Sequence, residues 1–188
     1  MSACPEIAAL VVELAQPCLE RKLVCATAES CTGGMISAAI TDLSGSSQWF
    51  DRAFVTYTNQ AKQEMLGVPE LTLAKFGAVS APTAAAMVNG VLAHSQADLA
   101  VAVTGIAGPT GGTPDKPVGT VYIAFKRRHD SQCYVKRHLF AGNRDEVRTA
   151  TTKEALQGLK ELATAQPPQN QVDLSPLPAY EVVRWPQY

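Results

Sequence analysis

This chain lacks the excess of positive charge that a polyanion or an acidic membrane surface would need. Its 16 lysines and arginines are balanced by 17 aspartates and glutamates, for a net charge of −1. A basic nucleic-acid footprint and a polybasic membrane patch are therefore both excluded. Long apolar runs are missing as well. Stretches such as 99-LAVAV-103 are far too short to span a bilayer. The opening residues, MSACPEIAALVVEL, carry glutamates and no basic region, so they do not read as a secretory signal. The five cysteines (Cys4, Cys18, Cys25, Cys31 and Cys133) form neither a CxxC pair nor a Cys/His zinc spacing. No metal site is expected. An odd, scattered set fits reduced thiols in a cytoplasm, most of them small core residues. The G-x-S-x-G elbow of α/β-hydrolases, the GxxxxGK[ST] P-loop and the GxGxxG dinucleotide fingerprint are all absent.

What is present is an ordinary globular composition. With 188 residues, 46% of them hydrophobic and 18% charged, a single domain is the natural expectation. Residues 5–21 have helical apolar spacing, with Pro17 expected to kink the helix or start a new turn. The run 23-LVCAT-27 reads as a buried strand, followed by a helix over about 31–43. A strand near 51–58 leads into a short helix, 59–66, with Asn59 as its expected N-cap and Gly67 just past its end. Ser80 caps an alanine-rich helix over about 82–96, with Pro82 in its first turn. The apolar run 98–105 has the character of a strand buried on both faces. Strands near 119–126 and 132–140 read as an antiparallel pair, and a last helix covers about 143–163. Alternating strands and helices predict an α/β domain over 1–165, with helices on both faces of a mostly parallel, mixed sheet. The proline-rich tail, 166–188, is expected to be an extended arm that lies over a neighbour.

In such sheets ligands gather at the carboxyl ends of strands. Three segments fit that place: 28-AESCTGG-34, 56-TYTNQAK-62 and 104-TGIAGPTGG-112. Ser30 would sit near the N-cap of the next helix, with Gly33 and Gly34 in its first turn. Unpaired N–H groups there favour negative charge, as in an oxyanion hole beside a nucleophile. Taken alone, a capping serine is the commoner reading. A nucleophilic serine needs a base, and His94, His129 and His138 fall late in a helix, in a turn and in mid-strand. Lys62 is the better candidate, provided burial lowers its pKa toward neutrality; alone, it reads as a solvated lysine. Tyr57 could relay a proton between the two, or be a core aromatic with a wet hydroxyl. For Cys31, core packing is the expected role. The glycine-rich loop could cradle a phosphate or ribose, and Arg144 could pair with a phosphate or be a surface charge.

Together, the strings AESCTGG, 55-VTYTNQAK-62, 66-LGV-68, 77-GAVS-80, 103-VTGIAGPTGGTPDKPVGTVYIA-124 and 142-GNRDEVR-148 closely resemble the CinA C-terminal domain family, over roughly residues 5–163. The resemblance implies a three-layer α/β/α sandwich around about five strands. It also implies the activity of stand-alone members, which hydrolyse the carboxamide of nicotinamide mononucleotide to the carboxylate and ammonia in pyridine nucleotide salvage. It makes Ser30 the nucleophile, with Lys62 and Tyr57 completing the catalytic group. Thr104 lies in the same site, along with Gly105, Gly108 and Gly111 of the glycine-rich loop. Larger members carry a further nucleotide-pyrophosphatase-like domain, for which this chain has no room, so that activity is not expected here.

The expected mechanism is metal-independent and needs no cofactor. Neutral Lys62, directly or through Tyr57, deprotonates Ser30, which attacks the carboxamide carbon while N–H groups around Thr32, Gly33 and Gly34 hold the oxyanion. Arg144 is the expected phosphate partner. A homo-oligomer, a dimer first, is the expected assembly, with a small molecule rather than nucleic acid or membrane as partner. Two other readings share these residues: a serine amidase for another small amide, and a nucleotide-binding protein with a competence or DNA-damage role.

Overall fold

A computed structural model describes residues 4–165 and 181–183. Helix α1 (Pro5–Arg21) leads into β1 (Cys25–Glu29), α2 (Met35–Thr41) and β2 (Phe50–Val55). Helices α3 (Asn59–Leu66), α4 (Glu70–Phe76) and α5 (Ala81–Ala93) follow in succession. Then come β3 (Leu99–Gly105), β4 (Thr120–Arg127), β5 (Cys133–Leu139), α6 (Arg144–Thr164) and a short β6 (Glu181–Val183). The strands form one mixed sheet in the order β2-β1-β3-β4-β5-β6. β1 pairs parallel with β2 and with β3, whereas β3/β4, β4/β5 and β5/β6 are antiparallel. The expected 119–126/132–140 hairpin is β4/β5.

The sheet is sandwiched because its central strand is apolar on both sides. In β3, Leu99, Val101 and Val103 enter one core, against Leu14 of α1, Ile36 and Ile40 of α2, and Leu156 and Leu159 of α6. Ala100 and Ala102 enter the other, against Ala84, Ala85, Met87 and Val88 of α5. Small residues on both α5 and the strand let that helix lie close. Gly90 does the same on its outer side: a Cβ there would meet the Leu66 carbonyl oxygen at 2.2 Å, so only glycine lets α3 pack so tightly on α5.

Several boundaries differ from expectation. Residues 31–34 are turn rather than helix, because Gly33 (φ 60°) and Gly34 (φ 99°) adopt left-handed backbone that an α-helix cannot include. Thr58, not Asn59, caps α3, accepting from the Ala61 N–H at 3.0 Å. Helix α1 has the expected bounds, with Pro17 inside it. The seven-residue α4 has no counterpart in the sequence reading; only Leu73 is buried in it, too little for an amphipathic signal. Ser80 does cap α5, and Asn143 caps α6 in a capping box with Glu146. Most of the 166–188 tail lies outside the described residues; its three described residues pair antiparallel with β5.

The arrangement also creates a site. From β1 the chain steps to β2 on one side and later to β3 on the other, so β1 is the topological switch point. Its carboxyl end is Glu29, and the next residue is Ser30.

Candidate active site

Ser30 is held at the mouth of the β1/β3 crevice by its backbone. Its N–H donates to the Val103 carbonyl at 3.1 Å, while the Thr56 N–H donates to the Glu29 carbonyl at 2.9 Å. The ends of β1, β2 and β3 are thus stitched together around one hydroxyl. Ser30 is not a helix cap, as the sequence reading allowed; Gly34 holds that position for α2.

Lys62 arrives from α3. Capping by Thr58 sets the helix phase so that Lys62 and Leu66, one turn apart, are its buried residues. The lysine is only 1% exposed. Its Nζ lies 3.0 Å from Ser30 Oγ, 2.8 Å from the Thr56 carbonyl and 3.4 Å from the Tyr57 carbonyl. None of the ion pairs among the described residues includes it. Burial without a compensating carboxylate lowers its pKa to about 8. A neutral Lys62 could give both of its N–H groups to the two carbonyls, an arrangement that would leave its lone pair for the Ser30 hydroxyl.

The expected relay through Tyr57 differs from this geometry. Tyr57 is 61% exposed, and its hydroxyl accepts from Arg144 Nη2 at 3.1 Å. Arg144 Nη1 donates to the Gly108 carbonyl at 2.8 Å. Tyr57 therefore meets Lys62 through its backbone and Arg144 through its side chain.

The expected oxyanion donors are also partly occupied. The Gly33 N–H donates to the Ser30 carbonyl at 3.1 Å. The Gly34 N–H donates to the Glu29 carboxylate at 3.0 Å. That carboxylate also accepts from Ile36 N–H (3.0 Å), Ser37 N–H (2.8 Å) and the Thr32 hydroxyl (2.7 Å). Glu29, fully buried, was missed by the sequence reading, although it stands inside the AESCTGG string. An acidic residue at a strand end with helix N–H groups just beyond was the available signal.

Ser30, Tyr57, Lys62, Thr104, Gly105 and Arg144 line one cavity of about 170 Å³. The Thr104 hydroxyl donates to the Ala78 carbonyl at 2.8 Å, tying the GAVS segment before α5 into the wall. Thr32, Gly33, Gly34, Gly108 and Gly111 stand outside this lining. A neighbouring hollow of about 610 Å³ shares Ala107 and Arg144 with it and opens onto Asn143 and Arg148 at the start of α6. Cys31 is buried in the core, and burial pushes its thiol up to about 11, so it carries no thiolate near neutrality. Among the described residues no group of three or more His, Cys, Asp or Glu could hold a metal ion. Nor is any described helix long and apolar enough to cross a membrane.

The family model described as the CinA C-terminal domain matches residues 7–163. The nicotinamide-nucleotide amidohydrolase PncC of Escherichia coli K12 is 48% identical over 154 residues, covering 82% of this chain and 93% of that relative. A CinA-like protein of Geobacter sulfurreducens is 54% identical over 141 residues, which are 75% of this chain but 34% of that longer protein. Among solved structures, the competence/damage inducible protein CihA from Agrobacterium tumefaciens superposes with a TM-score of 0.84 at 45% identity, covering 86% of this chain and 98% of that one.

Proposed function

This chain belongs to the CinA C-terminal domain family, and from that premise we propose that it is an amidohydrolase converting nicotinamide mononucleotide to nicotinate mononucleotide and ammonia. The similarity to the Escherichia coli nicotinamide-nucleotide amidohydrolase supports the substrate. The observation that carries the chemistry is the 3.0 Å contact between Ser30 Oγ and a buried Lys62 that has no ion-pair partner among the described residues. A serine is a weak nucleophile until a base removes its proton, and a lysine serves only when it is neutral.

Ser30 gives its proton to Lys62 Nζ as Oγ bonds to the carboxamide carbon. The resulting ammonium then protonates the amide nitrogen as the C–N bond breaks, and ammonia leaves. Lys62, neutral again, takes a proton from water; the hydroxide attacks the ester, and Ser30 recovers its proton as nicotinate mononucleotide departs. The small cavity around Ser30 suits the carboxamide ring, being below the roughly 300 Å³ at which whole-ligand pockets begin. The ribose and phosphate extend past Arg144 into the larger hollow, where Arg144 meets the phosphate.

The test is ammonia release from a panel of carboxamides at matched concentration. Nicotinamide mononucleotide should be the best substrate by a wide margin. Faster turnover of an unphosphorylated amide would redirect the reading to another small amide, and no turnover of any amide would favour a binding protein.

A further inference from the structure

Two charged side chains grip the turn that presents Ser30 from opposite sides, and the mechanism above uses neither. On the N–H side is the Glu29 carboxylate. It accepts from Gly34, Ile36 and Ser37 N–H and from the Thr32 hydroxyl, all between 2.7 and 3.0 Å. On the carbonyl side is Arg148 of α6. Its Nε donates to the Cys31 carbonyl at 3.2 Å and its Nη2 to the Thr32 carbonyl at 2.9 Å. The turn between them contains Gly33 and Gly34, whose left-handed backbone is the kind that side-chain-bearing residues rarely hold.

We propose that Glu29 and Arg148 are positioning residues that clamp residues 30–34 so that Ser30 Oγ stays aligned on Lys62. The role assigned to Ser30 rests on the amidohydrolase reading; the clamp itself rests on these contacts. Glycines make the turn possible but also leave it free to move, and two consecutive glycines have more unfolded conformations to lose than any other pair. Charge-assisted hydrogen bonds are about twice as strong as neutral ones; here Arg148 holds Cys31 and Thr32, while Glu29 holds Thr32 and Gly34 and ties them to Ile36 and Ser37 at the start of α2. The clamp also changes the electrostatics of catalysis. Because Glu29 takes the first N–H groups of α2, that helix end is neutralised and cannot serve a second anion. Arg148, bonded to the Cys31 carbonyl, polarises the Cys31–Thr32 peptide toward its own N–H. Oxyanion stabilisation therefore falls to the turn immediately after Ser30 rather than to α2.

The experiment compares wild type with Glu29→Gln, Thr32→Val, Arg148→Met and Arg148→Lys on three readouts. The first is labelling of Ser30 by a small alkyl phosphonofluoridate, in which an Oγ–P bond forms, fluoride leaves and the serine proton passes to Lys62. That probe contains no carboxamide, so it reads nucleophile alignment whatever the natural substrate. The second is kcat and KM for ammonia release from nicotinamide mononucleotide, and the third is Tm. For Glu29→Gln and Arg148→Met, labelling rate and kcat should fall together by about 100-fold, the cost of a displaced reacting group. The pH midpoint, which belongs to Lys62, should stay near wild type in both, and KM should stay near wild type in Glu29→Gln; Arg148 also lines the larger hollow, so for Arg148→Met the labelling rate decides. Thr32→Val removes a single hydrogen bond and should cost about 10-fold while leaving the fold intact. Arg148→Lys, which keeps the charge and loses the forked donor, should fall between wild type and Arg148→Met. If Glu29→Gln does not fold, Thr32→Val and the Arg148 variants decide. Folded variants that label at the wild-type rate would overturn the clamp. A wild type that labels but releases no ammonia would instead overturn the substrate reading, with the clamp judged by labelling alone.

Discussion

The Tyr57 hydroxyl lies 3.1 Å from Arg144 Nη2, although the two residues are 87 positions apart. With the Gly108 carbonyl on its other nitrogen, Arg144 is held as a bridge between the Ser30 cavity and the larger hollow at the start of α6. If that bridge reads the substrate phosphate, Arg144→Ala should lower kcat/KM for nicotinamide mononucleotide by roughly 10- to 150-fold, the worth of one charge-assisted contact. It should have little effect on nicotinamide riboside. Tyr57→Phe should cost about 10-fold on the mononucleotide, and the double variant should lose less than the product of the two, because the residues share one contact. Equal sensitivity of riboside and mononucleotide to Arg144→Ala would show that this arginine does not read a phosphate.

The activity should rise with pH. Lys62 must be neutral to accept the Ser30 proton, and burial sets its pKa to about 8. The kcat/KM profile should therefore climb through a midpoint near pH 8 and level off above it. A profile flat from about pH 6.5 to 9 would remove Lys62 as the base.

The same group should leave a mark on stability. In the unfolded chain a lysine titrates near about 10.4, whereas folded Lys62 titrates at about 8. Between those values the unfolded state holds the proton more tightly, so stability rises with pH. It is lowest below pH 8, where the folded protein keeps a charge buried, and the full gain, about 3 kcal/mol, is present only above the unfolded value. Urea melts of wild type and Lys62→Met over this range should give a difference that is flat at low pH and grows by about that amount. The other titrating groups largely cancel in the comparison. A difference independent of pH would mean that Lys62 is solvated in the folded protein.

Cys31 offers a control beside the proposed nucleophile. Its thiol is pushed up to about 11 by burial and packs with the core. Cys31→Ala should keep most of the activity, at a cost in stability of about 1 kcal/mol for the smaller side chain. Loss of activity with an unchanged Tm would shift suspicion from Ser30 to its neighbour.

Much of this site was legible in the chain, and the rest was hidden for specific reasons. Ser80, Asn143 and the apolar 98–105 run act locally, so capping and periodicity reveal them. Lys62 could be named from its motif, but its burial depends on the approach of α3 to α5 that Gly90 allows, a contact between residues far apart in sequence. Glu29 was overlooked because a glutamate after an apolar strand ordinarily marks the strand's exposed end. Only the left-handed turn at Gly33 and Gly34 brings the α2 N–H groups back onto it. The sequence leaves Tyr57 open between a proton relay and a wet hydroxyl; the partner of that hydroxyl comes from α6, which no local pattern could indicate.

The most direct test of the account is ammonia release from nicotinamide mononucleotide by purified wild type and Ser30→Ala, with Tm recorded for both. The 3.0 Å contact to Lys62 is one hydrogen bond, so its loss should change stability by no more than about 1.5 kcal/mol. Activity should fall by at least about 1,000-fold, as expected when a covalent nucleophile is removed. A folded Ser30→Ala protein that still releases ammonia at a tenth or more of the wild-type rate would contradict the central claim.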